Sequence, residues 1–220
     1  MKQKIIFGIF LLLACQQTMA QPGFSLLTDL STQHNFKKGQ RYTVIGQTIQ
    51  ANFNVTPKEA VYVWFAYYSN GKFDDKLNAS ARRLTTNPQQ ISYTNQSKMR
   101  LKQISVGYKK YLLGNFEVEN GISVYSSIGF GLVLGRMQNA SSVTIDASLY
   151  DVPVYAGQAN FKRLTIDPAL GLEQYLGGDL YVYAELKCWI PTTDYPSKFI
   201  LRNENAPFTG MASLGMRIRF

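Results

Sequence analysis

The protein has 220 residues, of which 45% are hydrophobic, 13% aromatic and 17% charged. Charged residues are scarcer than the roughly 25% typical of soluble domains, yet the mean hydropathy of −0.14 excludes a bundle of membrane helices. The formal net charge is +9, but the basic residues are scattered and no basic helix concentrates them, which argues against a nucleic-acid partner. The composition favours one all-β domain in which apolar and polar residues alternate.

The N-terminus has the three parts of a secretion signal. Lys2 and Lys4 form a positive segment, residues 5–14 form an apolar run, and residues 18–20 (Thr-Met-Ala) form a small-x-small cleavage site. The apolar run is about ten residues long, whereas a helix that spans a bilayer needs about 20. We therefore expect this segment to be cleaved from the mature protein.

The cysteines allow a second interpretation of the same segment. Residues 12–15 (Leu-Leu-Ala-Cys) resemble a bacterial lipobox, in which Cys15 would be lipidated. Cleavage after residue 20 instead removes Cys15 and leaves Cys188 alone, so that no internal disulfide can form. We assign residues 1–20 to a signal peptide and keep lipidation as the alternative.

Alternation of apolar and polar residues recurs along the rest of the chain, and helical periodicity does not. In 122–134, Ile128 and Phe130 point one way while Ser127 and Gly129 point the other. This stretch is about a dozen residues long, close to the 9–11 that cross a bilayer at a tilt. The predicted strands are 23–33, 42–53, 60–68, 99–112, 122–134, 164–172, 180–190 and 210–220. The segment 60–68 is apolar on both faces, so its register stays open.

The connections between the predicted strands are alternately short and long. The short turns are 55–58, 115–121 and 177–179, and the longer connections are 36–40, 69–98, 138–162 and 192–209. Outer-membrane barrels have this pattern, with short periplasmic turns and longer outside loops. The last strand must pair with the first, because an open sheet edge in hydrocarbon leaves backbone groups unsatisfied. The sequence thus predicts an all-β fold, an eight-stranded antiparallel up-and-down transmembrane β-barrel over residues 21–220.

Three segments carry a family resemblance: SSIGFGLVLG (126–135), DPALGLEQYLGGDLYVYAEL (167–186) and SLGMRIRF (213–220). They resemble the small eight-stranded outer-membrane β-barrel proteins (OmpA/OmpX-like architecture), especially the barrel family abundant in Bacteroidota. The resemblance implies a location in the outer membrane of a Gram-negative cell envelope. It also implies that the terminal Phe220, with Ile218 and Met216 at alternate positions before it, is the signal read by the barrel-assembly machinery.

Charged residues fall on the inward positions of the predicted strands. The expected lumen charge network consists of Asp29, Lys109, Glu173, Glu185, Lys187, Arg217 and Arg219. Side chains fill the interior of an eight-stranded barrel, where isolated charges are costly and paired charges are tolerated. We expect a salt-bridge plug in which the Glu185 and Lys187 pair faces the two arginines of the last strand. A gated ion path is the alternative.

The sequence gives little support to catalysis, and we expect no enzyme activity. His34 is the single histidine, and no Ser-His spacing motif accompanies it, although Asp74 and Asp75 lie in a predicted loop on the same side. No Cys/His cluster indicates zinc, and the scattered loop aspartates do not form a calcium loop. We therefore expect no catalytic residue, metal or cofactor.

The long loops are the parts expected to act at the surface. Residues 69–98 are rich in basic side chains, while 138–162 alternate apolar and polar residues. The second loop would either expose a strand edge that a partner strand can join, or be a disordered or lid-forming loop. We expect a structural, adhesion or surface-interaction role, with outer-membrane lipid, lipopolysaccharide and surface proteins as partners. The alternatives are a small pore or transport or secretion-system accessory barrel, and a soluble lipocalin-like ligand-binding barrel.

Overall fold

The computed structural model describes residues 23–192 and 208–220. The expected signal peptide, the lipidation alternative at Cys15 and most of the predicted loop 192–209 lie outside these residues. The strands are β1 (Gly23–Asn35), β2 (Tyr42–Thr56), β3 (Glu59–Ala81), β4 (Gln90–Leu113), β5 (Ile122–Ser141), β6 (Tyr150–Asp151), β7 (Gly157–Gly177), β8 (Leu180–Pro191) and β9 (Thr209–Arg219). Within the described part of the chain, no helix is long and apolar enough to cross a membrane.

The long strands form a closed antiparallel ring. Each long strand pairs with the next one along the chain, β5 pairing with β7 because β6 is short. Strand β9 pairs with β1 and closes the sheet. The closing ladder aligns Leu30 with Leu214 and Ser25 with Arg219. The short strand β6 lies outside the ring and pairs with the end of β3. Closure satisfies the backbone groups that an open edge would expose to hydrocarbon, and the predicted eight-stranded barrel is confirmed.

The outer surface of the ring is apolar. On β5, Ile128 and Phe130 are 56% and 51% exposed, whereas Ser127 and Gly129, which alternate with them, are buried. On β9, Leu214 is 64% exposed while Arg217 is fully buried. One exposed apolar residue from each long strand illustrates the band, which we call the apolar belt: Leu30, Ile49, Phe65, Val106, Phe130, Leu170, Leu186 and Leu214. A soluble lipocalin-like barrel would instead have a polar outer surface.

The structure fixes the register of the segment that is apolar on both faces. Tyr62, Trp64 and Tyr68 point into the barrel and are at most 2% exposed, whereas Val61 and Phe65 lie on the outer surface. The lumen is therefore lined by large aromatic rings on β3, a side chain type that can be buried as well as exposed to lipid. This dual preference is the reason why the sequence pattern alone leaves the register open.

The predicted loops 69–98 and 138–162 are too long, because strands occupy the outer parts of both ranges. Strands β3 and β4 continue into the first of them, so that residues 82–89 connect the two strands, and β5 and β7 leave 142–156 between them. The alternation persists in these extensions, but outward residues such as Lys72 are polar. Above a membrane the outer face of a strand contacts water, so a polar composition there does not indicate a loop.

The barrel is taller on one side than on the other. Strands β3, β4, β5 and β7 contain 23, 24, 20 and 21 residues, whereas β1, β2, β8 and β9 contain 13, 15, 12 and 11. The longer strands exceed the shorter ones by about nine residues, or ~30 Å of strand at ~3.3 Å per residue. We call the extensions of these four strands the projecting sheet.

The opposite end of the barrel has tight connections, and we call it the turn end. Strands β2 and β3 are joined by residues 57–58, and β7 and β8 by 178–179. Gly178 adopts φ of 59°, a left-handed conformation that glycine reaches without steric cost. Gly23 and Phe220 also lie at this end, since β1 begins and β9 ends there.

Candidate functional site

Three charged residues of the expected network meet in the lumen near the turn end. The Lys109 ammonium contacts one carboxylate oxygen of Glu173, and Arg217 Nε lies 3.0 Å from the other oxygen. The Tyr111 hydroxyl donates a 2.9 Å hydrogen bond to the oxygen that Arg217 approaches. The three charged side chains are at most 1% exposed. A single carboxylate, that of Glu173, therefore neutralises two buried cations.

The surplus positive charge of this group lies against aromatic faces and a backbone carbonyl. Lys109 Nζ is 3.5 Å from the ring centroid of Tyr125, and Arg217 Cζ is 3.8 Å from that of Tyr181. Cation–π contacts of this kind are favourable where the cation is desolvated. Arg217 Nη2 also donates a 2.9 Å hydrogen bond to the carbonyl oxygen of Phe116. Because Phe116 belongs to the β4–β5 connection and is itself buried, Arg217 holds that connection beneath the barrel.

A second ion pair lies further along the lumen. Lys187 Nζ is 3.0 Å from Glu185 Oε1, and the Tyr125 hydroxyl donates a 3.0 Å hydrogen bond to Glu185 Oε2. The ammonium also lies 4.0 Å from the ring centroid of Trp64. The two partners are neighbours on the inner face of one strand, β8, so this pair is independent of the last strand.

The expected contact between this pair and the arginines of the last strand is wrong. The β8–β9 ladder places Ser213 opposite Glu185 and places Arg217 opposite Tyr181. Arg219 leaves the lumen: its Nη2 lies 2.9 Å from Asp179 Oδ1 in the β7–β8 turn, where the Asp179 side chain is 60% exposed. Residues 192–208 separate β8 from β9, and a connection of this length does not reveal the register of the two strands in the sequence.

Asp29 lies in the lumen as expected, but its hydrogen-bond partners are hydroxyl groups. Thr48 and Tyr183 each donate a 2.6 Å hydrogen bond to Asp29 Oδ2. These donors come from β2 and β8, the strands that flank the closing pair β1 and β9. The carboxyl group of Asp29 therefore links the first and last parts of the ring.

Two buried charged residues, Arg163 and Asp167, lie outside the network predicted from the sequence. Asp167 is fully buried, and its Oδ2 accepts a 2.7 Å hydrogen bond from Gln103 Nε2. Arg163 is 5% exposed. Both occupy the same alternate positions of β7 as Glu173, so extending the inward pattern along the whole strand is the signal that identifies them.

Toward the projecting end, aromatic and sulphur-containing side chains fill the lumen. The ring of Trp189 meets that of Tyr68 edge to face with centroids 5.8 Å apart, and the Tyr68 hydroxyl donates to Met211 Sδ at 3.1 Å. We call this buried group the aromatic layer; its members include Tyr42, Trp64, Tyr68, Phe73, Met99, Leu101, Val133, Met137, Phe161, Trp189 and Met211. A cavity beside Leu101 and Val133 has a volume of about 20 Å³, room for about one water molecule.

Glycines on the inner face accommodate the tyrosines of the lumen. A Cβ atom at Gly171 would clash with the Tyr125 ring, and one at Gly129 would clash with the Tyr62 hydroxyl. The absence of a side chain therefore lets these rings lie flat against the wall of a narrow barrel.

The C-terminal Phe220 lies in a cluster of aromatic rings at the turn end. Its ring centroid is 5.7 Å from that of Phe24, which is 5.3 Å from that of Phe53. The Phe220 amide donates a 2.9 Å hydrogen bond to the Phe24 carbonyl oxygen. Ile218 and Met216 are exposed on the same outer face. The three residues thus share one lipid-facing side, and their recognition by the assembly machinery stays a prediction.

The segment between β5 and β7 packs against the inner face of the projecting sheet. Tyr150, Val152 and Val154 form a buried cluster with Leu77 and Tyr93. The Tyr93 hydroxyl donates a 3.2 Å hydrogen bond to the Val154 carbonyl oxygen. Of the two alternatives for this segment, the exposed apolar strand edge is wrong at these positions, because their side chains cover the apolar inner face of β3 and β4.

His34 is a hydrogen-bonded residue near the projecting end of β1. Its Nδ1 atom lies 2.8 Å from Thr43 Oγ1, and its ring packs against that of Phe36 with centroids 4.6 Å apart. Asp74 and Asp75 belong to β3, in the projecting sheet. Within residues 23–192 and 208–220, no group of three His, Cys, Asp or Glu residues is placed to hold a metal ion.

Comparison with known proteins gives matches in fold. No family model and no curated protein matches the sequence. Neisserial surface protein A is 12% identical with a TM-score of 0.55, over 90% of this chain and 97% of that chain. The attachment invasion locus protein of Yersinia pestis, Ail, is 11% identical with a TM-score of 0.51, over 91% and 99%. A second structure of Ail, in complex with the heparin analogue sucrose octasulfate, has a TM-score of 0.50.

The resemblance expected from the sequence is confirmed at the level of architecture. These neighbours are small outer-membrane β-barrels, and at such low identity the likeness shows the fold alone. The closed ring and the apolar belt independently meet the requirements of a strand-built protein that spans a bilayer, and barrels of this type belong to outer membranes. The chain is therefore located in the outer membrane. The assignment to Bacteroidota stays a prediction.

Proposed function

We propose that this protein is a closed outer-membrane barrel that presents the projecting sheet at the cell surface for attachment or other surface contacts. The observation that carries the proposal is a lumen filled with side chains beneath a sheet that rises on one side. The orientation follows from the short connections at the turn end, which belong on the periplasmic side in barrels of this type.

The filled lumen supports a structural role over a transport role. An ion would have to pass the group around Glu173, then the Glu185 and Lys187 pair, and then the aromatic layer. Separating Glu173 from its cations would leave buried charges unpaired, at a cost of about 3–5 kcal/mol. The small-pore alternative therefore requires a second conformation that differs from this one along most of the lumen.

The projecting sheet supports a surface-contact role because its tip is exposed and firmly held. Leu84 is 95% exposed between two arginines and polar residues of the β3–β4 connection. The Arg82 amide donates a 2.9 Å hydrogen bond to the Leu149 carbonyl oxygen. The Tyr150 hydroxyl donates a 2.9 Å hydrogen bond to the Pro88 carbonyl oxygen. The structural neighbour Ail is the attachment invasion locus protein of Yersinia pestis, and its name adds support from a barrel of the same fold.

Conductance in planar bilayers tests the closed lumen. The mature chain is refolded in detergent, its folding is verified by heat-modifiable migration on gels, and it is inserted at a density of many barrels per bilayer. We expect no steady ionic current above the lipid background. A sustained current from the folded sample would contradict the closed barrel and favour the small pore.

Attachment of intact cells tests the role of the tip. Cells that express the protein are compared with cells that express the Arg82→Ser/Leu84→Ser variant, for retention on epithelial monolayers and for clumping with one another. A Lys58→Ser variant in the β2–β3 turn serves as the control. We expect the tip variant to fall to the level of cells without the barrel, and equal attachment by both variants would contradict the surface-contact role.

A further inference from the structure

The outer wall of the taller side carries a cluster of cations. Six exposed basic residues occupy outward positions on four adjacent strands, and we call them the basic patch: Lys72, Lys98, Arg100, Lys102, Arg136 and Lys162. Lys102 stands opposite Leu134, which in turn stands opposite Lys162. Because Leu134 is the last apolar residue of the belt on β5 before Arg136, the patch begins where the belt ends.

The protein itself does little to neutralise these charges. The ladders place Lys72 opposite Lys98 and Arg100 opposite Arg136, and like charges directly opposite each other destabilise a sheet. Arg136 donates a 2.6 Å hydrogen bond to a neutral group, Gln158 Oε1. In the described part of the chain, none of the salt bridges involves a residue of the patch.

A carboxylate does lie near one edge of the patch. Asp74 follows Lys72 on the outer face of β3 and stands opposite Gln96. Asp74 therefore lies beside Lys72 and Lys98, at the edge of the patch nearest the tip of the projecting sheet, and away from the pair formed by Arg100 and Arg136. Within residues 23–192 and 208–220, no carboxylate forms a salt bridge with these two arginines, which leaves them open to an external anion.

Two depressions on the outer wall meet at the patch. The first has a volume of about 600 Å³ and is lined by four cations together with Leu134: Arg100, Lys102, Arg136 and Lys162. The second has a volume of about 550 Å³ and is mainly apolar, with Ile49, Phe65 and Ile104 in its lining. Lys102 and Leu134 line both depressions. A basic hollow thus opens directly onto an apolar one in the belt.

We propose that the two depressions bind one phosphorylated lipid of the outer leaflet. Its phosphates lie between Arg100, Lys102 and Arg136, since guanidinium groups bind phosphate oxygens in a bidentate manner. Its acyl chain lies against Phe65 and Ile104. The inference rests on the proposed orientation, in which the projecting sheet is outside the cell.

The position of the patch favours a lipid over a soluble polyanion. The cations face sideways from the wall, at the border of the belt, where lipid headgroups surround a membrane barrel. Lys102 Nζ lies 5.8 Å from the ring centroid of Tyr67, and an aromatic ring beside a cation is a common arrangement at that level. A bound lipid would also remove the like-charge repulsion between β4 and β5, so it would stabilise the base of the projecting sheet.

Lipid retention by charge-matched variants tests the proposal. The folded mature chain is mixed in detergent with diphosphorylated lipid A or with its dephosphorylated form, and bound lipid is counted by native mass spectrometry. Each basic residue beside an anionic membrane surface contributes about fivefold in affinity. Arg100→Gln/Arg136→Gln should therefore bind lipid A about 30-fold more weakly. The control Arg82→Gln/Arg83→Gln, which removes the same charge from the tip, should bind as the unmodified protein does.

Three results would overturn the proposal. They are equal retention by the patch variant and the control, equal retention of the phosphorylated and dephosphorylated lipids by the unmodified protein, and binding of sucrose octasulfate without binding of lipid A. Surface proteolysis of the 82–89 connection on intact cells checks the orientation separately. Retention of lipid A that depends on Arg100 and Arg136, together with a tip that is protected on intact cells, would support binding of lipid phosphates by the patch but overturn the proposed orientation, and with it the surface role and the outer-leaflet source of the lipid.

Discussion

Replacing Glu173 by glutamine should destabilise the barrel strongly. The substitution keeps the shape of the side chain but removes the charge that neutralises Lys109 and Arg217, both of which are at most 1% exposed. Breaking a buried pair by removing one partner costs about 3–5 kcal/mol. The free energy of unfolding is measured by urea titration in detergent, with heat-modifiable migration on gels as the readout of the folded state.

The same substitution at an exposed pair provides the matched control. Glu59 lies 3.8 Å from Lys110, and these side chains are 36% and 55% exposed. Exposed pairs contribute about 0–1 kcal/mol, so Glu59→Gln should leave the unfolding midpoint nearly unchanged. Lys109→Met should cost less than Glu173→Gln, because Arg217 still neutralises the carboxylate. If Glu173→Gln destabilises the barrel no more than Glu59→Gln does, the reasoning about the buried ion pairs is refuted.

Three further changes probe other parts of the molecule. Ile128→Arg puts a charge midway along the apolar belt and should lower the free energy of unfolding in lipid by about 2–4 kcal/mol. The control Leu84→Arg, at the exposed tip, should leave the free energy of unfolding unchanged. Equal effects of the two substitutions would argue against the apolar belt. Deleting Phe220 should lower the amount of folded protein in the outer membrane without lowering export, and unchanged heat-modifiable migration in membrane fractions would contradict the assembly role. Gly171→Val should clash with Tyr125 and lower the unfolding midpoint, and a normal midpoint would contradict the close approach.

The strands within the membrane could be predicted from the sequence because lipid imposes one rule on every one of them. Outward residues there must be apolar, so alternation such as that around Ile128 identifies both the strand and its faces. The same rule does not apply above the membrane, where both water and other protein segments contact the sheet. There the inward alternation of Phe73 and Leu77 is combined with a polar outer face, and the extensions of β3 and β4 resemble loops in composition.

The lumen could be predicted in content but not in pairing. Alternation places Glu173, Glu185 and Arg217 inside the barrel, because inward and outward positions follow from period two alone. Which of these side chains meet depends on the stagger of strands that are distant in the sequence, and no local pattern encodes that stagger. Arg217 for this reason contacts Glu173 across the lumen, while the last-strand neighbour of Glu185 is Ser213.

A scan of lipid access along 126–134 tests most directly whether the apolar face contacts lipid and the charged face lines the lumen. Single cysteines are introduced in a Cys188→Ser background of the mature chain, spin-labelled, and reconstituted into bilayers. Collision rates with oxygen, which partitions into lipid, are measured at each position. The structure predicts high rates at the even-numbered positions, including Ile128, and low rates at the odd-numbered positions, including Ser127. Rates with the opposite phase, or rates that do not alternate, would contradict the account.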